Sequence, residues 1–186
     1  MIGIDISLAK TGICIIGRDG ALLYSGLVKS KPSGDSYLAE TKRIVKIAED
    51  IIGKIDEFCP ETSPALVVIE AQAFMARNTS AITQIAGLSH LVRTLLAEFE
   101  WPCVLVAPSS LKKFITGKGN ADKNIVMLEI FKQYGHTFME DNTADSFALA
   151  AIGMALLGEP LKPLLKPQQE VIELLEKQLD KQLTRE

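Results

Sequence analysis

The N-terminal segment Ile2-Gly3-Ile4-Asp5-Ile6 places one carboxylate inside an apolar run. Such a short apolar run is typical of a buried strand, which we predict at residues 2–6. An ionised carboxylate is costly to bury unless a cation or hydrogen-bond donors compensate its charge. Asp5 is therefore a candidate metal ligand, and other parts of the chain have to provide the further ligands or the donors that offset its charge. The competing interpretation is that Asp5 only caps nearby backbone amides.

Two more short strands follow, at residues 11–16 and 21–28, with an Arg18-Asp19-Gly20 turn between them. Three consecutive short strands predict an antiparallel meander. The pattern then alternates between helical periodicity and short apolar runs. This order predicts an α/β fold in which two parallel strands join the meander in a five-stranded mixed sheet, flanked by helices. The further predicted elements are helices at residues 36–58, 79–99, 109–115 and 121–134, a helix from near Asn142, and strands at residues 65–69 and 103–106.

Composition limits the class of protein. With 186 residues, 47% of them apolar and 23% charged, the chain fits one globular domain. We expect a soluble, cytoplasmic protein with no membrane partner, because the sequence has no long apolar run and no signal-peptide pattern. The three cysteines are far apart and form no C-x-x-C pair, so we expect them reduced and without zinc.

The C-terminal part of the chain changes in character after about residue 157. Gly158 and three prolines predict a linker at residues 158–167, and residues 168–186 predict an amphipathic helix. We therefore divide the chain into a core domain at residues 1–157, the linker, and a terminal helix. That helix is expected to pack on its own core or on the core of a partner.

Four carboxylates stand at positions that the predicted elements can bring together. Glu70 ends the fourth predicted strand, and strands that pair with each other lie about 4.8 Å apart, so it can lie beside Asp5. Asp141 and Asp145 are four residues apart near the start of a helix, which places them on one face. Oxygen ligands favour Mg²⁺ or Mn²⁺ over zinc, and two such ions suit the attack of water on a phosphodiester.

Each acid also has an ordinary interpretation. Glu70 can be a solvated residue at a strand end, and Asp141 can be an acid favoured by the positive end of a helix dipole. Asp145 is harder to explain in this way, because it lies on the Ala- and Phe-rich side of its helix. The four acids taken together favour a metal site.

Basic residues cluster between residues 109 and 123, where four lysines accompany the single acid Asp122. Such a cluster can neutralise DNA phosphates. For Lys113 and Lys118, the alternative is that they are only solvated residues of a lysine-rich loop. The four residues are Lys112, Lys113, Lys118 and Lys123.

The segment after Glu70 carries the apolar pair Phe74 and Met75, followed by Arg77 and Asn78. Apolar side chains in a polar loop can wedge between bases or stack on them. The alternative is that Phe74 packs on the core. His136 lies in the loop before the acidic helix, and it is a weaker catalytic candidate because no partner is evident.

Four segments together resemble the RuvC-type Holliday junction resolvases, which have the RNase H-like fold. They are Gly3-Ile4-Asp5 with Thr11-Gly12, Ile69-Glu70 with residues 74–78, Lys112 with Lys123, and residues 141–148. The likeness covers about residues 1–157. It implies a metal-dependent endonuclease that resolves four-way DNA junctions by paired symmetric nicks, which leave 5′-phosphate and 3′-hydroxyl ends.

The resemblance also implies partners and roles. The family acts as a homodimer on branched DNA, with two Mg²⁺ ions, or Mn²⁺, in each site. Lys123 would stabilise charge in the transition state, and Asp5, Glu70, Asp141 and Asp145 would hold the metal. The DNA-binding residues would be Phe74, Arg77, Lys112, Lys113, Lys118 and Lys123.

The chain departs from the family in two places. Cellular members space their last two aspartates three residues apart, whereas this chain has Asn142 and Asp145 at that spacing. We assign the fourth ligand to Asp141, with Asn142 as its substitute. This arrangement of the last acids resembles that of phage-encoded family members. It suggests a protein that acts in a bacterial cell or in a phage-infected host. One additional residue also separates Glu70 from Phe74, which weakens the assignment of the wedge.

Other functions remain open at this stage. A nuclease of the same fold can act on forks, flaps or RNA/DNA hybrids. A sugar-kinase or actin-like fold also begins with a Gly-Ile-Asp strand, but it needs a second domain that 186 residues do not provide. A protein that only binds DNA is disfavoured because all four acids are present.

Overall fold

The computed structural model describes residues 1–32, 34, 36–59, 66–72 and 79–183, with the backbone alone at residues 79 and 181–183. Five strands and six helices lie in these ranges. They are β1 Ile2–Asp5, β2 Lys10–Ile16, β3 Leu22–Lys29, α1 Tyr37–Phe58, β4 Val67–Glu70, α2 Thr79–Glu98, β5 Cys103–Val106, α3 Pro108–Thr116, α4 Lys123–Tyr134, α5 Asp141–Leu156 and α6 Lys166–Leu183.

The strands form one mixed sheet in the order β3-β2-β1-β4-β5. The first three strands make an antiparallel meander, and β4 and β5 extend it in parallel with β1. This arrangement confirms the predicted α/β fold with three antiparallel and two parallel strands. The strand β1 lies at the centre, so its residues are covered by neighbours on both sides.

Side chains alternate between the two faces of the sheet, as the period of two in a strand requires. Ile2 and Ile4 of β1 belong to an apolar cluster with α1 and α2. The opposite face forms a second cluster, in which Cys14 and Val68 pack with residues of α3, α4, α5 and α6. Each odd-numbered position of β1 from Gly3 onward therefore faces α5.

Two glycines allow α5 to lie directly on the sheet. A Cβ atom on Gly3 would overlap the carbonyl oxygen of Ser146 and lie 2.5 Å from the backbone nitrogen of Ala150. A Cβ atom on Gly12 would overlap the carbonyl oxygen of Asn142 and lie 2.5 Å from its carbonyl carbon. Glycine within a strand commonly marks such a close approach of backbones. The contact fixes the depth at which the first turn of α5 lies over β1 and β2.

The terminal helix α6 packs on the core through Val171, Ile172 and Leu175, which are buried with residues of α3 and α5. It begins at Lys166, two residues before the predicted position, because Pro167 is accommodated in the first turn, where no backbone donor is needed. An ion pair of 2.7 Å joins Lys113 on α3 to Glu170 on α6. Among the described helices, none has the length and apolar character needed to span a membrane.

Candidate active site

Two neighbouring strands deliver the first two carboxylates. In the register of β1 with β4, Ile4 lies opposite Ile69, so the next residues along the two strands are Asp5 and Glu70. Both lie on the face that α5 covers, because apolar residues of the other parity fill the opposite face. Asp5 is buried, and Glu70 is partly exposed at the strand end.

The helix α5 brings its first turns onto the same point. Asn142 donates its side-chain amide to Oδ2 of Asp5 over 2.7 Å. Asp145, one turn further, lies near enough for its charge to interact with that of Asp5. The contact of Asn142 with Gly12, which pairs with Asp5 across the sheet, sets this placement.

Burial and mutual repulsion act on three carboxylates, Asp5, Glu70 and Asp145, which we call the site carboxylates. Burial raises the pKa of Asp5, against hydrogen bonds from Glu70 and Asn142 that lower it. Burial, the charge of Asp5 and a hydrogen bond with it raise the pKa of Glu70 to about 8. Burial and the charge of Asp5 raise the pKa of Asp145 to about 7. The three groups therefore resist carrying full negative charge together.

The fourth predicted acid, Asp141, has a different partner. Its Oδ2 accepts a hydrogen bond from Nζ of Lys123, and this bond lowers the pKa of the Asp141 carboxyl. The Lys123 charge also lowers the pKa of each site carboxylate against the effect of burial. Asp141 and Lys123 thus form a pair at the rim of the site.

The other predicted DNA-binding lysines take three different positions. The charge of Lys112 acts on Asp145 and lowers its pKa, so Lys112 lies within electrostatic range of the site. Lys113 is paired with Glu170 on α6, and Lys118 is exposed in the turn between α3 and α4. Lys112 and Lys123 are therefore the two lysines that the structure brings near the carboxylates.

Two predicted DNA-binding residues, Phe74 and Arg77, lie outside the described residues. His136 packs among aromatic rings instead of facing the carboxylates. Its ring centroid lies 5.1 Å from that of Phe147 and 6.3 Å from that of Phe138. His136 is therefore a packing residue of this aromatic cluster.

Sequence reasoning did not identify the roles of Gly3 and Gly12, although a glycine inside an otherwise apolar strand was an available signal. It also did not identify the ion pair between Lys10 and Glu140, whose Nζ and Oε2 atoms lie 2.8 Å apart. This pair joins the start of β2 to the residue that precedes α5. Residues 130 positions apart in sequence gave no local pattern from which the pair could be predicted.

The donor set fits a divalent cation. Asp5, Glu70 and Asp145 are close enough for their charges to raise one another's pKa values, and a cation would replace the protons that these groups otherwise retain. Their oxygen atoms suit Mg²⁺ or Mn²⁺. In the ranges that the structure describes, however, no three acidic, histidine or cysteine side chains are placed so that they could hold one metal ion together.

A meander of three antiparallel strands, two further parallel strands and carboxylates on adjacent inner strands are the features of the RNase H-like fold class. The family model described as crossover junction endodeoxyribonuclease RuvC matches residues 1–153. The chain therefore belongs to the RuvC family, and this membership confirms the resemblance found in the sequence. It identifies the chain as an endodeoxyribonuclease, which hydrolyses phosphodiester bonds.

Individual relatives agree with the family. RuvC of Synechococcus sp. (strain WH7803) is 31% identical over 159 residues, which cover 82% of this chain and 96% of the relative. RuvC of Parvibaculum lavamentivorans is 27% identical over 150 residues, covering 80% of this chain and 82% of the relative. A structure of Thermus thermophilus RuvC in complex with Holliday junction substrate matches with a TM-score of 0.67 and 22% identity, over 85% of this chain and 95% of that one. This last likeness shows the fold.

Proposed function

We propose that this chain is a homodimeric endonuclease that resolves four-way DNA junctions by a nick in each of two opposed strands. Membership of the RuvC family supports this function, as does the similar fold of Thermus thermophilus RuvC, which has been solved with a Holliday junction substrate. A two-fold protein can place two identical sites on a two-fold junction. The observation that carries the proposal is the convergence of the three site carboxylates with Lys123.

Mg²⁺, or Mn²⁺ in its place, is the cofactor that we propose, with two ions in each site. Asp5, Glu70 and Asp145 would hold it, and Asp141 and Asn142 are the two candidates for a fourth oxygen ligand. When bound, the ions would activate a water molecule and stabilise the leaving oxygen, which yields 5′-phosphate and 3′-hydroxyl ends.

The residues of the chain itself supply position and charge. Asn142 holds the Asp5 carboxylate in one orientation through its 2.7 Å hydrogen bond. The Lys123 ammonium lies at the rim of the site, where a cation can stabilise negative charge that develops on a phosphate. Lys112 adds a second positive charge within electrostatic range of Asp145. These lysines would bind the backbone of the DNA and would not read its sequence.

Cleavage of end-labelled synthetic substrates tests this function. The wild-type protein with Mg²⁺ should cut a four-way junction into symmetric products, whereas Asp5→Asn and Asp145→Asn should lower the rate by at least about 100-fold. Glu140→Gln is the matched control, because it removes an acid next to the site that pairs with Lys10.

Three outcomes would contradict the proposal. Equal cutting by Asp5→Asn would remove the metal site. Preferential cutting of forks, flaps or RNA/DNA hybrids over junctions would show that the substrate is not a four-way junction. A monomer by light scattering, both free and on the junction, would contradict the dimer.

A further inference from the structure

We propose that Asp141 is a positioning residue, which holds the Lys123 ammonium at the rim of the site, and that the place beside Asp5 belongs to Asn142. This inference rests on the proposed function, because it assigns Lys123 a task in phosphodiester cleavage. It changes the predicted role of Asp141 from metal ligand to support for a cation.

Both carboxylate oxygens of Asp141 already have partners in the protein. Oδ2 accepts from Nζ of Lys123, and Oδ1 accepts from the backbone N–H of Asn142 over 3.0 Å. These two bonds orient the Asp141 carboxylate toward Lys123 and toward the backbone of its own helix. Asn142, the next residue, is instead in direct contact with Asp5.

The position of Lys123 is not explained by its own helix. Lys123 is the first residue of α4, and the first turn continues with Asn124, Ile125 and Val126. A helix N-terminus carries a partial positive charge and favours acids, so a lysine is unfavourable there. The N-cap residue Asp122 makes no side-chain capping bond, and it is Asp141, the first residue of the neighbouring helix α5, that pairs with Lys123. The pair therefore joins two helix N-termini beside the site.

The pair leaves Lys123 able to bind a phosphate. A lysine ammonium has three N–H donors, and Asp141 uses one of them. The Lys123 side chain is 62% exposed, so the other donors are accessible from solvent. An exposed ion pair of this kind adds little to folding stability, which favours a role in orientation.

Single-turnover cleavage of a four-way junction tests this role with four variants and one matched control. Lys123→Met should lower the cleavage rate about 100-fold, and Asp141→Asn about 10-fold, with junction affinity changed less than about 3-fold. Asp141→Glu should recover most of the rate. In the Lys123→Met background, Asp141→Asn should have no further effect, because its partner is already absent.

Glu140→Gln provides the comparison, since Glu140 and Asp141 are similarly exposed, at 37% and 34%, and each pairs with one lysine. This variant should cut at the wild-type rate. If Asp141→Asn and Lys123→Met had multiplicative effects, or if Glu140→Gln slowed cleavage as much as Asp141→Asn, the positioning role would be wrong.

Mn²⁺ binding to the DNA-free protein, measured by calorimetry, separates a positioning residue from a ligand without reference to activity. Asp145→Asn should weaken binding by more than about 10-fold, and Asp141→Asn by less than about 3-fold. Equal losses in the two variants would make Asp141 a ligand and overturn the inference.

Nitrogen-15 spectra of the lysine ammonium groups report the pair itself. The Lys123 ammonium should exchange its protons more slowly in the wild type and in Glu140→Gln than in Asp141→Asn, and we call this slower exchange protection. A protected signal in a protein that cuts no branched DNA would overturn the proposed function and the catalytic part of this inference together. Junction cleavage with an unprotected Lys123 would overturn the inference alone.

Discussion

Asn142 donates its side-chain amide to the Asp5 carboxylate over 2.7 Å, and this bond joins α5 to β1 at the centre of the sheet. The neutral amide gives a buried carboxylate a donor without adding another negative charge. Asn142 also stands three residues before Asp145, on the same face of α5. The side chain that contacts Asp5 from α5 is therefore neutral.

Asn142→Asp should destabilise the metal-free protein at pH 8, because it replaces a donor to Asp5 with a second carboxylate. Loss of a charged hydrogen bond together with the new repulsion should cost about 2–3 kcal/mol. Thermal unfolding in the presence of EDTA measures the loss, and addition of Mg²⁺ should recover more of it than in the wild type. A variant as stable as the wild type in EDTA would show that the bond contributes nothing.

Gly12→Ala should destabilise the protein severely, because the added methyl group would overlap the backbone of Asn142. Overpacking of this kind costs about 1–3 kcal/mol or more, and it should also displace the first turn of α5 and slow cleavage. Chemical denaturation gives the free energy of unfolding. Gly53→Ala is the control, since nothing lies within 4 Å of its Cβ position, and it should stabilise the helix α1 by about 0.5–1 kcal/mol. Equal effects of the two changes would exclude the steric explanation.

The stability of the metal-free protein should fall as the pH rises from about 5 to about 8. The pKa of Glu70 is raised to about 8 and that of Asp145 to about 7, whereas unfolded carboxylates titrate near pH 4. Between these values the folded state holds protons that the unfolded state has released, so the free energy of unfolding decreases with pH. Melting temperatures in EDTA across this range give the slope.

The variant Glu70→Gln isolates the contribution of one acid to this pH dependence. Its slope should be shallower than that of the wild type, and Mg²⁺ at pH 8 should stabilise it less than the wild type, because binding to the folded state alone raises stability. Identical slopes would mean that Glu70 does not titrate differently in the two states.

Leu175→Ala should cost about 2–4 kcal/mol, because Leu175 on α6 is buried against the core. The neighbouring Leu174 is 47% exposed, so Leu174→Ala should change the free energy of unfolding by less than about 1 kcal/mol. Urea denaturation of both variants measures the difference. If both changes were neutral, α6 would not be part of the cooperative fold.

The sequence by itself determined the sheet and two of its acids. Apolar runs of four to eight residues and a period of two are local properties, and they placed Asp5 and Glu70 on strands that pair. The spacing of Asp141 and Asp145 also placed both acids near the start of one helix.

Only the tertiary structure decided what each side chain on that helix contacts. Consecutive residues of an α-helix differ in direction by about 100°, so Asp141 and Asn142 point to different neighbours. Which of them faces Asp5 depends on the depth and rotation of α5 over the sheet, and contacts of Gly3 and Gly12 with distant backbone set both. The pairing of Asp141 with Lys123 likewise depends on where two helix N-termini meet, and no local pattern in the sequence specifies that meeting.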